Sequence, residues 1–392
     1  MRSARIAAPN TPSKPEPVRI RMAERRLTVV QLLPAFEAGG AERSALEVAR
    51  ALVEAGHRSI IVSAGGRMVE RAEREGSEHV TLPIGAKSLR ALAQVPKLRA
   101  LLRQVGADIV HARSRMPAWV GWLAVRGLKP RPHFVTTAHG LNSPGIYSSV
   151  MARGERVICV SNTVRDYLLR NYPRTDPNKL VVIPRGIDPS DYPFGYLADN
   201  SWREWFFAEF PQLDGAPLLT LPGRGTRLKG HADAIELVSD LKARGIPTRL
   251  LLLGARQEGR EAYVAELERL AVERGVADQL AISAQRDDTR DVFAASALVL
   301  QLSNKPESFG RTVVEALALC RPVLGYDHGG VGELLADLYP AGRVPPQDRE
   351  RLTERAAELL RAAPPITPLQ RYRLADMQAA TLALYREIVG AG

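Results

Sequence analysis

Short apolar runs alternate with amphipathic stretches along most of the chain. From residue 27 the runs 27–33, 59–63, 108–111 and 134–138 are separated by stretches 42–55, 89–104 and 117–126, whose apolar residues recur at helical spacing. A further run at 156–160 leads into Ser161, suited to cap a helix over 161–172, and a run at 180–183 follows. Unbroken apolar runs fit strands covered on both faces, so the pattern predicts a doubly wound parallel sheet. Prolines and an aromatic cluster (Trp202, Trp205, Phe206, Phe207, Phe210) interrupt the alternation over 184–217, which reads as a linker with one helix. The alternation then resumes. Strands are predicted at 218–221, 249–253, 280–283, 298–302 and 322–325, and helices at 230–243, 261–274, 288–295 and 311–319. The chain is therefore expected to be an α/β protein of two doubly wound domains, 27–190 and 191–368. Ligands bind at the carboxyl ends of such strands, so the two domains should face each other across a functional cleft.

The composition of the 392 residues, 45% hydrophobic and 25% charged, excludes a disordered or collagen-like chain. The longest apolar stretches fall far short of the roughly 20 residues of a spanning helix. Residues 1–26 hold seven Lys and Arg and four Pro with few large apolar side chains. They are expected to form a disordered basic tail without the apolar core of a signal peptide, with Met22 as an alternative start, and a cytoplasmic location is expected. Cys159 and Cys320 stand alone in apolar runs and read as small core residues. The net charge of +11 is uneven: residues 1–192 carry 30 Lys+Arg against 16 Asp+Glu (+14), and residues 193–392 carry 24 against 27 (−3). A basic first half fits a polyanionic neighbour, anionic lipid or nucleic acid, or simply a solvated arginine-rich surface.

Three loops carry candidate chemistry. Gly39 and Gly40 lie between the first strand and a helix starting near Glu42, where backbone amides can approach an anion, although a glycine pair also makes an ordinary tight turn. After the strand 218–221, Arg224 and Lys229 bracket a loop in which two cations could hold a diphosphate or merely be solvated. The segment Pro306, Glu307, Ser308, Phe309, Gly310 follows the strand 298–302, with Ser308 expected to cap a helix carrying Glu315. Two carboxylates roughly 10 Å apart along that helix could accept hydrogen bonds from the sugar and ribose hydroxyls of a nucleotide sugar. Glu315, among Val313, Val314, Ala316 and Leu317, is expected to be largely buried and therefore partnered. No Asp-x-Asp occurs, so no carboxylate clamp for a metal-bound diphosphate is expected. His111 reads as a hydrogen-bonded core histidine.

Taken in order, the Gly39–Gly40 loop, segment 183–188, Arg224 with Lys229, Glu307 and Glu315 seven residues apart, and Gly329, Gly330 with Glu333 resemble the family-4 retaining glycosyltransferases of GT-B fold. The resemblance implies two Rossmann-like domains, with the last helix, 369–392, crossing back onto the first. It implies that Glu307 contacts the donor sugar and Glu315 the ribose, and that Arg224 and Lys229 hold the diphosphate. Gly39, Gly40, Ser308, Phe309 and Gly310 would complete the donor site, and His139, at the end of strand 134–138, would position the sugar. It further implies a metal-independent enzyme without cofactor that uses a nucleotide-diphosphate sugar, a UDP-sugar on the family's example. The acceptor would be a cell-envelope glycan or glycolipid such as lipopolysaccharide core, reached from the cytoplasmic face of an anionic inner membrane. A nucleic-acid partner is not expected, because aromatic residues interleaved on a basic strand face are lacking. A nucleotide-sugar epimerase on the same scaffold and a non-catalytic nucleotide-sugar or nucleic-acid binding protein remain as alternatives. The chain has Arg185 where the family usually has Asn.

Overall fold

The computed structural model describes residues 25–37 and 39–390. Most of the expected 1–26 tail lies outside them. Two all-parallel sheets organise the chain. The first contains β1 (Thr28–Leu32), β2 (Arg58–Ser63), β3 (Glu78–Thr81), β4 (Ile109–Ala112), β5 (His133–Ala138), β6 (Arg156–Cys159) and β7 (Leu180–Val182), in the order β3-β2-β1-β4-β5-β6-β7. The second contains β8 (Leu218–Pro222), β9 (Arg249–Leu253), β10 (Leu280–Ile282), β11 (Leu298–Gln301), β12 (Val323–Tyr326) and β13 (Arg343–Val344), in the order β10-β9-β8-β11-β12-β13. The order reverses direction between β1 and β4 in one sheet and between β8 and β11 in the other, which opens a crevice at each switch point. Because β8 and β11 are neighbours, the loops carrying Lys229 and Glu307 emerge side by side.

Two of the four edge strands, β3 and β13, escaped the sequence pattern. β3 has no fully buried residue and β13 is two residues long, so neither shows an apolar run. The expected helix over 89–104 is two helices, Leu89–Leu92 and Val95–Gln104. Pro96 sits in the first turn of the second, where its missing N–H costs nothing. Of the leucines of this second helix, Leu98 and Leu102 are fully buried in the first-domain core and Leu101 is partly buried against it. Cys159 is buried, which pushes its thiol up to about 12. Cys320 is only half-buried and has a φ of 62°, so it ends a helix instead of filling the core.

The last helix runs Leu374–Gly390, shorter at its start than 369. Tyr372, at φ 61°, and Arg373 are held in extended contact with the linker instead: Ile187 donates to the Tyr372 carbonyl at 2.9 Å and Leu374 donates back to Ile187 at 2.7 Å. The helix packs on the first domain, where Met377, Leu384, Tyr385 and Ile388 share a core with Val29, Val48 and Ile109. His111 anchors it. Its two ring nitrogens lie 2.5 Å from the Tyr385 hydroxyl and 2.6 Å from the Thr137 hydroxyl, which makes it the structural histidine that the sequence indicates.

Candidate active site at the domain interface

The loop after β8 ends in a short 3-10 turn, Arg227–Lys229, and Gly230, with left-handed backbone, starts the helix His231–Ala243. This turn presents Lys229, whose Nζ donates to Glu307 Oε1 at 2.7 Å. Ser303 Oγ donates to the same oxygen, so Glu307 is oriented from two sides. Behind it the backbone amide of Gly330 donates to the Glu307 carbonyl at 2.8 Å. That approach requires glycine, because a Cβ at residue 330 would lie 2.5–2.6 Å from Phe309 backbone atoms. Glu307, Lys229, Ser303, Ser308 and the exposed Arg224 line one cleft of about 1110 Å³, closed on the far side by first-domain residues such as Tyr167.

Ser308 does not cap a helix. The helix begins at Arg311, with Gly310 as its N-terminal flanking residue at φ 98° and no side-chain cap. Ser308 Oγ donates instead across the interface to the His139 carbonyl at 2.7 Å, and the Ser308 carbonyl accepts from Ser161 Oγ at 2.5 Å. Residues 307–310 are thus loop, and the axial spacing argued for Glu307 and Glu315 on one helix does not apply. Glu315 is 5% exposed and is indeed partnered: Arg311 lies at 3.0 Å and Arg43 of the first domain at 3.9 Å. It lines a second cleft, of about 720 Å³, together with Tyr192 and Gln285. The structure therefore brings Glu307, Lys229 and Arg224 together and places Glu315 in the wall of a separate cleft.

Gly40 is the first residue of the helix Gly40–Glu54, and Gly39 precedes it in extended backbone without a side-chain cap. Phe309 is buried, with its ring 6.0 Å from that of Tyr372, so it packs the loop onto the segment leading to the last helix. His139 lies at the end of β5, half-buried, with Nδ1 2.6 Å from Arg185 Nη2. Burial, reinforced by the neighbouring Arg185, Arg113 and His111, holds its imidazole well below the usual histidine range.

Sequence reasoning missed the ionic seam between the domains. Arg311 donates to Glu47 of the first domain at 2.9 Å while pairing with Glu315, and both side chains are at least 85% shielded. The i,i+4 spacing of Arg311 and Glu315 was a visible signal; the Glu47 partner, 264 residues away, was not. Glu333, known only as part of a motif, accepts from the Asn162 amide at 3.0 Å and from Thr163, capping the first-domain helix Asn162–Asn171 from the second domain.

Comparison with known proteins matches this architecture half by half. Residues 38–191 match the model described as Glycosyltransferase Family 4, and residues 203–371 that described as Glycosyl transferases group 1. The chain belongs to these GT-B glycosyltransferases. It is 28% identical over 319 residues to alpha-maltose-1-phosphate synthase of Mycobacterium tuberculosis, covering 72% of this chain and 79% of that one. The crystal structure of a glycosyltransferase from Rickettsia africae superposes with a TM-score of 0.80 at 26% identity, over 93% of this chain and 99% of that one. HepE of Anabaena in complex with UDP-glucose shares the fold, with a TM-score of 0.74 at 19% identity over 92% and 100% of the two chains. Among the described residues no helix is long and apolar enough to cross a membrane.

Proposed function

We propose that this glycosyltransferase moves a sugar from a nucleotide diphosphate donor, a UDP-sugar, to a cell-envelope glycan or glycolipid with retention of configuration and without a metal ion. The observation that carries the reading is the Lys229–Glu307 pair on the wall of the interdomain cleft, with Arg224 alongside. When the donor binds, Lys229 and Arg224 turn to the diphosphate and Glu307 accepts from the sugar hydroxyls. In a front-face substitution the bond from the anomeric carbon to the diphosphate breaks as the bond to the acceptor oxygen forms on the same face. The acceptor proton passes to a diphosphate oxygen, and the two cations stabilise the departing charge. The metal-free reading is supported by the cations Lys229 and Arg224 facing the cleft, which can meet the charge of the diphosphate themselves. The uridine reading draws on HepE, whose structure holds UDP-glucose. Thermal unfolding with UDP-, GDP- and ADP-sugars in excess EDTA tests the donor. A ligand at about 100 times its Kd stabilises by roughly 2.7 kcal/mol. One class, UDP, is expected to raise the Tm in EDTA and to lose that effect in Lys229→Ala. Protection by none of them overturns the donor assignment, and protection that needs Mg or Mn overturns metal independence. Conversion of the sugar nucleotide to its epimer without an acceptor would place the enzyme among epimerases.

The membrane part of the reading rests on a surface patch. Leu89 and Ile146 are 83% and 82% exposed, and Lys87 Nζ, 4.9 Å from the Tyr147 ring, holds their two loops side by side. Arg115 faces the same ring at 5.0 Å. The half-buried tryptophans are already engaged: Trp119 Nε1 donates to the Tyr147 carbonyl at 2.9 Å, and Arg153 lies 4.9 and 4.7 Å from the rings of Trp119 and Trp122. Each basic side chain near an anionic leaflet contributes about 1 kcal/mol, and exposed aliphatic tips add to it. The protein is expected to float with vesicles containing phosphatidylglycerol at low salt and less with neutral vesicles. A Leu89→Ser, Ile146→Ser variant should lose most of this binding. Equal binding to neutral and anionic vesicles, or none to either, overturns the docking surface.

A further inference from the structure

The turn after β12 grips the loop that carries Glu307 at both of its ends. At one end the Gly330 amide donates to the Glu307 carbonyl at 2.8 Å, and Gly329, at φ 60°, lies so close that a Cβ there would sit 2.7 Å from the same oxygen. At the other end the half-buried ring of His328 reaches back to residue 303, with Nε2 2.7 Å from the Ser303 carbonyl. A carbonyl only accepts, so Nε2 carries the proton and donates. The ring is itself held in place. It stands perpendicular to the buried ring of Tyr326, with centroids 6.3 Å apart at 85°, and the Tyr326 hydroxyl is fixed in turn by donating to Asp233 at 2.7 Å.

The Ser303–Asn304 peptide that His328 holds is shared by the two loops of the site. Its N–H, on Asn304, donates to the Leu228 carbonyl at 2.8 Å, inside the 3-10 turn that presents Lys229. The Ser303 hydroxyl, on the other side, donates to Glu307 Oε1, the oxygen that Lys229 Nζ reaches at 2.7 Å. A peptide unit is planar, so a bond to its carbonyl and one to its N–H together stop it from rotating. We propose that His328 is a positioning residue for glycosyl transfer: by donating from Nε2 to the Ser303 carbonyl it fixes the peptide that aligns Ser303 and the Lys229 turn on Glu307. This rests on the transfer reaction proposed above. The ring does not line the cleft, so it acts on the sugar only through that peptide. Without it the carbonyl of Ser303, a residue only 5% exposed, loses this donor, and the peptide turns to find another.

Two substitutions separate the hydrogen bond from packing alone. His328→Leu keeps bulk against Tyr326 but has no donor, whereas His328→Gln brings an amide N–H to where Nε2–H stands. In turnover of UDP-glucose, His328→Leu should lose about 10- to 100-fold in kcat with KM little changed, the size expected when reacting groups are misplaced by about 1 Å. His328→Gln should recover most of that loss. The effect should also pass through Ser303, so the double variant Ser303→Ala, His328→Leu should fall little below the worse of the two single variants. In protein labelled with 15N at histidine, with the His328 signals assigned by their loss in His328→Gln, long-range 1H–15N spectra on the alkaline side of neutrality should show the proton on Nε2. Wild-type kcat in His328→Leu, no recovery in His328→Gln, or additive losses in the double variant overturns the proposal. A ring protonated on Nδ1 alone does so whatever the activity. A wild-type protein that shows the Nε2–H signature but turns over no sugar nucleotide overturns the transfer reading instead and leaves the hold on Ser303 standing.

Discussion

Glu307→Ala is expected to lower turnover at least about a hundredfold, on the order of 3 kcal/mol of transition-state stabilisation, while the fold survives. The side chain is about one-quarter exposed on the cleft wall, so its removal opens no core cavity. Its loss leaves Lys229 and the Ser303 hydroxyl without their shared acceptor. The proposed role is to hold the sugar so that its anomeric carbon faces the acceptor, and misplacing a bound substrate is enough for a loss of this size. The defect should therefore fall mainly on kcat, and circular dichroism and Tm should stay close to those of the wild type. A variant with near-normal turnover would place the sugar elsewhere in the cleft. Glu307→Gln should be intermediate, since an amide oxygen still accepts one hydrogen bond but no longer pairs with Lys229.

Gly230→Ala should destabilise the protein by about 3 kcal/mol and abolish the alignment of Lys229 with Glu307. Residue 230 has φ 74°, a backbone conformation that penalises any side chain, and a Cβ there would sit 1.9 Å from the Leu302 carbonyl oxygen. That carbonyl belongs to the loop that goes on to Ser303 and Glu307, so relief of the clash must push the β8 and β11 loops apart. The expected outcome is a lower midpoint in urea with an unchanged m-value, together with a loss of nucleotide-sugar protection larger than the stability loss explains. Retention of both stability and binding would mean that the loops are soft enough for Lys229 to find Glu307 without the tight turn.

Much of the architecture was legible because the strands of a sheet covered on both faces are apolar from end to end. Val29, Val30, Leu32, Leu250, Leu251, Leu252, Val299 and Leu300 are all buried, and each stands in a run that the pattern shows directly. The motif segments were legible for a related reason: Gly230, Gly310 and Gly330 stand where a turn or a close approach admits little else, so they mark the loops they shape. The meeting of Lys229 with Glu307 also follows once the strand order is known, since both loops leave adjacent strands.

What the sequence by itself determined is therefore the two doubly wound halves and the loops that carry the candidate chemistry, because burial period and turn stereochemistry are local properties of the chain. The interface between the halves was decided only by the tertiary structure. Arg311 meets Glu47, Ser308 meets His139, and Glu333 caps the Asn162–Asn171 helix, all across 169 to 264 residues of chain. A charged or hydroxyl side chain has the same sequence context whether it is solvated or buried against a distant partner. Only the docking of one domain against the other removes the water and forces those groups to pair, which is why Ser308 read as a helix cap until the first domain was in place against it.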